Sequence, residues 1–100
     1  MKLVIRLTGA SDISADERNA AQERYRQLLE EVFGGPEAVW KRYEAALASV
    51  QLGAERSQLS QQRLRDLLRW EEAAGVAAKL ALGGVPVGGA NFSFEVSRLP

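Results

Sequence analysis

The chain has 100 residues, 46% of them hydrophobic and 26% charged, with thirteen basic residues balanced by thirteen acidic ones. This size and composition predict one folded domain over residues 1–100, because a second hydrophobic core needs a longer chain. The zero net charge creates no long-range attraction to nucleic acid or to an anionic membrane. The chain has no Cys and no His, which excludes disulfides, thiolate nucleophiles, Ser-His-Asp triads and zinc sites built on either residue. We therefore expect no metal and no cofactor.

Neither the N-terminus nor any internal stretch predicts membrane targeting. Residues 1–7 interrupt their apolar stretch with charge and lack a small-residue cleavage site, unlike a signal peptide. The longest stretch of low polarity, residues 73–90, contains Lys79, Pro86 and five glycines, which makes it a poor candidate for bilayer insertion. Arg outnumbers Lys by ten to three and Ala is abundant, as is common in proteins from GC-rich bacterial genomes. We expect a bacterial, cytoplasmic protein.

Both ends of the chain show the alternation of a half-buried β-strand. Over residues 2–8, one side carries Leu3, Ile5 and Leu7, and the other carries Lys2, Val4, Arg6 and Thr8. Over residues 91–97, Phe92, Phe94 and Val96 alternate with polar neighbours in the same way. We predict a strand at each end.

A first helix is predicted after a loop over residues 9–13. Ser14 and Glu17 match a capping box, in which each side chain bonds the other residue's backbone N–H. The apolar stripe that we expect to face the core consists of Ala21, Tyr25, Leu28 and Val32. Gly34 is placed to end the helix in the left-handed conformation.

Two further helices follow along the chain. Pro36 suits the first residue of a helix that runs to about Gln51. A third helix, capped by Ser57 or Ser60, extends toward Leu82 unless Gly75 splits or bends it. Its apolar signals are Leu64, Leu67, Leu68 and Trp70. A heptad pattern continues across both helices, which leaves open the alternative that they form one long helical rod. The core positions of such a coiled coil would hold small and polar residues, so we favour a turn over residues 53–60. The Gly-rich residues 83–89 predict a loop.

These elements predict an α+β fold that is mostly helical, with the N- and C-terminal β-strands pairing in a small antiparallel sheet packed by two to three helices. A two-stranded ribbon is marginal on its own and leaves two unpaired edges. A homodimer that joins two ribbons into a four-stranded sheet would bury those edges. We therefore expect the chain to associate with itself.

Six residues are candidates for contact with a partner protein: Trp40, Tyr43, Trp70, Val85, Pro86 and Val87. The two Trp residues are of the kind enriched at interface hot spots, and they also lie near the predicted apolar stripes, where they would anchor the core instead. The segment from Val85 to Val87 places apolar residues in a flexible Gly-rich frame, which would dock into a partner or fold onto its own core.

Catalytic chemistry has little support in the sequence. Ser-Lys catalysis would need Lys2, Lys41 or Lys79, and none of them stands in a nucleophile motif. Residues 83–89 match neither common phosphate-loop pattern. Several carboxylates suit helix surfaces and caps better than acid-base chemistry or a magnesium site: Asp12, Asp16, Glu17, Glu30, Glu31, Glu71 and Glu72.

An N-terminal strand followed by two helices resembles the ribbon-helix-helix DNA-binding dimers, whose paired strands enter the major groove. The resemblance implies that the outward residues of the strand read bases, with Lys2 and Arg6 as the nucleic-acid contacts. It covers at most the first half of the chain. The sequence departs from that pattern in its long first helix, in the turn Gly34-Gly35-Pro36 and in having a second strand.

Three functional hypotheses follow. The first is a non-enzymatic, homo-oligomeric interaction protein, an adaptor or accessory factor that binds another protein through helical faces and the loop from Val85 to Val87. The second is a small DNA-binding regulator that uses the N-terminal ribbon. The third is an enzyme or small-ligand carrier with a pocket between sheet and helices. The first is favoured mainly because the sequence lacks catalytic motifs.

Overall fold

The computed structural model describes residues 1–10, 12–51, 59–83 and 92–100. Its elements follow in the order β1 (Lys2–Thr8), α1 (Ala15–Phe33), α2 (Pro36–Gln51), α3 (Gln61–Ala81) and β2 (Ser93–Leu99). β1 and β2 form a two-stranded antiparallel sheet, in register from Lys2↔Leu99 to Thr8↔Ser93. The predicted fold class, α+β and mostly helical with paired terminal strands, is therefore confirmed.

The N-terminal strand has the predicted bounds, and the C-terminal strand is displaced by two residues. Leu3, Ile5 and Leu7 are all buried on one face of β1, as the alternation predicts. The prediction that Phe92 belongs to the strand is wrong, since Phe92 precedes β2 and is 42% exposed. The ladder ends at Thr8, because the next residue, Gly9, has a φ of 81° and turns β1 away.

α1 begins and ends where its local signals predict. The Glu17 backbone N–H donates to Ser14 Oγ at 3.1 Å, and the Ser14 N–H donates to Glu17 Oε1 at 3.4 Å, which completes the capping box. At the other end Gly34 has a φ of 93°, and its N–H donates to the Glu30 carbonyl at 2.8 Å. These contacts satisfy backbone groups that a helix end otherwise leaves unpaired.

The buried face of α1 differs from the predicted stripe in its second half. Ala21, Tyr25 and Leu29 are buried, whereas Val32 is 60% exposed. The prediction that Val32 faces the core is therefore wrong. Spacings of three and four residues fit a helix equally well, and the packing of α1 on β1 and α3 places Leu29 rather than Val32 at the centre of the contact.

α2 and α3 are two separate helices that pack against each other. Pro36 is the first residue of α2, as predicted, and Ser60 caps α3 by accepting from the Arg63 N–H at 3.2 Å. The rings of Tyr43 and Trp70 lie 5.3 Å apart. One continuous rod would hold these two residues about 40 Å apart at about 1.5 Å per residue, so the rod alternative is wrong.

α3 continues through Gly75 to Ala81, with Leu82 as its C-cap. The alternative in which Gly75 splits this helix is therefore wrong. The candidate cap Ser57 and most of the predicted turn over residues 53–60 lie outside the described residues.

The core lies between the inner face of the sheet and the three helices. Its main cluster of buried side chains comprises Leu3, Ile5, Tyr25, Leu29, Val39, Ala77, Ala81 and Val96. Tyr25 of α1 stacks on Phe94 of β2 with ring centroids 4.2 Å apart, which ties the helical layer to the sheet. In the described part of the chain, no helix has the length and apolarity needed to cross a membrane.

Candidate interaction surfaces

The structure brings the three predicted aromatic residues together along the contact between α2 and α3. Trp40 lies 5.4 Å from Tyr43, and Tyr43 lies 5.3 Å from Trp70, between ring centroids. Phe33, which the sequence analysis did not single out, stacks on Trp70 at 5.9 Å. All four are partly buried and pack against the main core cluster. This placement accounts for them as packing residues, and their contact with a partner stays a prediction.

Trp40 also lines a groove at the end of the sheet. The guanidinium of Arg98 lies 4.9 Å from the centroid of the Trp40 ring, which is within cation–π range. Trp40 Nε1 is buried and has no hydrogen-bond partner among the described residues. The groove measures about 540 Å³ and carries charges of both signs from Glu37, Lys41, Glu44 and Arg98. Mixed charge of this kind selects no one ligand class.

The other three predicted contact residues, Val85, Pro86 and Val87, lie outside the described residues. The docking role predicted for this segment therefore stays a prediction.

A second groove runs between α1 and α3 and is mostly apolar; we call it the α1–α3 groove. It measures about 340 Å³, and its main lining residues are Leu28, Val32, Phe33, Ala73, Val76 and Leu80. Val32, Val76 and Leu80 are 60%, 54% and 60% exposed. Arg69 and Glu72 also line it, and the Arg69 guanidinium lies 6.0 Å from the centroid of the Phe33 ring.

A polar contact and an aromatic contact hold the two helices of this groove in an antiparallel arrangement. Arg24 of α1 donates to the Ala81 carbonyl at the end of α3, through Nε at 3.1 Å and Nη2 at 2.7 Å. At the opposite end, Phe33 of α1 stacks on Trp70 of α3. The Arg24 charge also complements the negative end of the α3 dipole. The walls of the α1–α3 groove are therefore fixed at both ends.

The sequence analysis missed this groove, although α3 carries a signal for it. Ala73, Val76 and Leu80 follow one another at spacings of three and four, which forms a second apolar stripe beside the buried one. Val32, assigned to the core from sequence, lies on the facing wall instead. A helix with two apolar stripes has more apolar surface than one core contact covers.

Two side chains of α1 occupy the outer edge of β1 at Leu7. The Leu7 N–H donates to Gln22 Oε1 at 2.9 Å, and Arg18 donates to the carbonyls of Leu7 and Ala10. Ribbon-helix-helix proteins instead pair this strand with the same strand of a second copy. Here β1 pairs with β2 of its own chain, and Arg6 stands across from Glu95, which lowers the positive charge of that face. DNA binding by Lys2 and Arg6 stays a prediction.

Among the described residues, Arg26 forms ion pairs within α1, and Tyr25 is a buried titratable group. Arg26 pairs with Glu23 and Glu30 on the same helix face, and the hydrogen bond from Arg26 lowers the pKa of Glu23. Burial raises the pKa of Tyr25 to about 12. Among the described residues, no three acidic side chains cluster closely enough to hold a metal ion together.

Comparison of the chain with protein-family models, with curated proteins and with solved structures finds no match.

Proposed function

We propose that the chain is a non-enzymatic, cytoplasmic interaction protein that acts as a homo-oligomer and receives an amphipathic helix of another protein in the α1–α3 groove. One observation supports this most: Val32, Val76 and Leu80 are each more than half exposed and line the same groove. Single exposed apolar residues are ordinary on protein surfaces, but several together in a concave site are typical of an interface.

The groove offers a moderate binding energy. Full burial of a Val or Leu side chain is worth about 1.5–3 kcal/mol. With 60%, 54% and 60% of these residues still exposed, covering all three would contribute about 3–5 kcal/mol. Association itself costs at least about 4 kcal/mol in lost freedom, so these contacts alone give weak binding. We therefore propose a transient partner, or one that adds contacts beyond the groove.

The shape and charge of the groove favour a helix as its occupant. Its walls are two antiparallel helices, and a third helix packs into such a surface by ridges and grooves. Arg69 and Glu72 present opposite charges beside the apolar lining. That mixture suits a helix with apolar residues at spacings of three and four and with charges of both signs, rather than a polyanion.

The aromatic residues predicted as partner contacts connect to this groove through one side chain. Phe33 lines the groove and also stacks on Trp70 at 5.9 Å. A helix in the groove would therefore touch the edge of the aromatic cluster without displacing Trp40 or Tyr43. In this proposal Trp70 supports the binding surface from behind.

The test compares two exposed leucines of α3. Leu80 lines the groove and Leu68 does not, and they are 60% and 45% exposed. Leu80→Glu and Leu68→Glu make the same chemical change on the same helix, and each should lower the free energy of unfolding by a similar amount, about 0.6–1.7 kcal/mol. Circular dichroism and thermal unfolding check this.

Binding is measured with peptides selected from a display library of amphipathic helices and with proteins captured from a bacterial lysate. We expect Leu80→Glu to weaken binding at least about tenfold and Leu68→Glu to change it less than about twofold. Peptides or captured proteins that bind all three chains equally well would refute the groove as the binding surface.

A further inference from the structure

The two edges of the sheet differ, and the hydrogen bonds at Leu7 show how. Leu7 directs both its N–H and its carbonyl toward α1, to Gln22 and Arg18, and therefore away from β2. In an antiparallel ladder, residues whose N–H and carbonyl both point away from the neighbouring strand alternate with residues whose N–H and carbonyl both bond that strand. Because Phe94 stands opposite Leu7, the backbone groups of Phe94, Val96 and Arg98 point away from β1.

No hydrogen bond among the described residues occupies the outer edge of β2. None of the described hydrogen bonds reaches the outward N–H or carbonyl groups of Phe94, Val96 and Arg98, whereas Gln22 and Arg18 bond both outward groups of Leu7 on β1. β2 runs in unbroken register from Ser93 to Leu99, so it contains neither a bulge nor a proline. Natural proteins use those devices, or a covering element, to stop edge strands from pairing.

We infer that β2 pairs antiparallel with β2 of a second copy of this chain, which forms a four-stranded sheet in the order β1-β2-β2-β1. This inference deepens the homo-oligomeric part of the proposed function and rests on it. A closed two-fold interface uses the same patch on both subunits, and a strand edge satisfies that condition in the antiparallel direction. Gln22 and Arg18 obstruct strand pairing along β1 at Leu7, which favours β2 as the edge that pairs.

Charge favours a register centred on Val96 over one centred on Glu95. A two-fold axis at Val96 places Glu95 across from Ser97 of the partner subunit and Phe94 across from Arg98 of the partner subunit. A two-fold axis at Glu95 would set the two Glu95 carboxylates directly opposite each other, which is unfavourable.

The first test removes one outward N–H without touching the β1 ladder. Arg98→Pro deletes the N–H of an exposed edge residue, and Arg98→Thr keeps that N–H while losing the same contact with Trp40. We expect light scattering to show a dimer for wild type and Arg98→Thr, and a folded monomer for Arg98→Pro. A wild-type chain that stays monomeric up to about 1 mM, or an Arg98→Pro chain that dimerises normally, would overturn the inference.

The second test reads the register with one matched pair of charges. Within its own chain Ser97 stands across from Val4, so either charge is tolerated there. Across the interface Ser97→Glu faces the partner's Glu95, and Ser97→Lys forms an attractive pair with it. Two symmetric contacts change the dimer dissociation constant about 2- to 30-fold, upward for Glu and downward for Lys. Equal weakening by both variants would overturn the Val96-centred register.

These outcomes separate the inference from the groove proposal. A dimer that persists in Leu80→Glu and is lost in Arg98→Pro supports pairing through β2, whatever the peptide-binding result. A dimer lost in Leu80→Glu and kept in Arg98→Pro would overturn it and assign the α1–α3 groove to the second copy.

Discussion

Replacing Leu29 and Val32 by alanine, one at a time, tests which side of α1 faces water. Leu29 is fully buried in the main core cluster, so Leu29→Ala should lower the free energy of unfolding by about 2–5 kcal/mol. Val32 is 60% exposed. Val32→Ala removes two methyl groups, which contribute about 1.6 kcal/mol to stability at full burial and about 0.6 kcal/mol at this exposure. The better helix propensity of Ala offsets this loss by about 0.5 kcal/mol. We therefore expect no net change.

Urea unfolding followed by circular dichroism measures both values. All chains are compared at one protein concentration, because association would raise apparent stability. A Val32→Ala variant that loses more than about 2 kcal/mol would show that Val32 is buried in solution. The α1–α3 groove would then be covered, and the proposed function would lose the observation that supports it.

Three further predictions concern the backbone and the buried phenol. Because burial raises the pKa of Tyr25 to about 12, the free energy of unfolding should be unaffected by this group below about pH 10. It should fall by up to about 2.7 kcal/mol as the pH rises from about 10 toward 12. Urea unfolding at alkaline pH measures this loss, which Tyr25→Phe should remove. Gly75→Ala should raise the free energy of unfolding by about 0.5–1 kcal/mol, since the added Cβ meets open space within a helix. Gly34→Ala should lower it by about 1–2 kcal/mol, because the φ of Gly34 is 93°. Thermal unfolding tests both variants, and equal effects would contradict the backbone argument. Arg18→Ala should cost about 1.5–3 kcal/mol through its lost hydrogen bonds to the edge of β1, and a neutral result would mean that this edge is not closed.

The elements that the sequence predicted well are those with local signals. The capping box at Ser14, the left-handed Gly34 and the helix start at Pro36 each depend on residues within one turn of the feature they set. The alternation of Leu3, Ile5 and Leu7 likewise needs no knowledge of the rest of the chain. Signals of this kind survive folding because tertiary packing does not have to choose between alternatives.

The errors arise where distant parts of the chain decide between two local patterns. Leu28 and Val32 fit the helical period of α1, and so does Leu29. The packing of α1 on β1 and α3 makes Leu29 rather than Val32 the buried residue. The start of β2 depends in the same way on Gly9, which ends the opposing strand 84 residues earlier in the chain. The α1–α3 groove needs both helices, so neither amphipathic pattern alone reveals it.

The difference between the two sheet edges was beyond sequence analysis for another reason. Arg18 and Gln22 are four residues apart on α1 and are typical of a solvated helix face, yet their side chains bond the backbone of β1. Hydrophobic patterns describe what is buried and say nothing about polar side chains that occupy a strand edge. Because those two side chains obstruct β1 at Leu7, the proposed pairing of a second copy falls on β2, and Arg18→Ala should make β1 easier to pair as well as destabilise the fold.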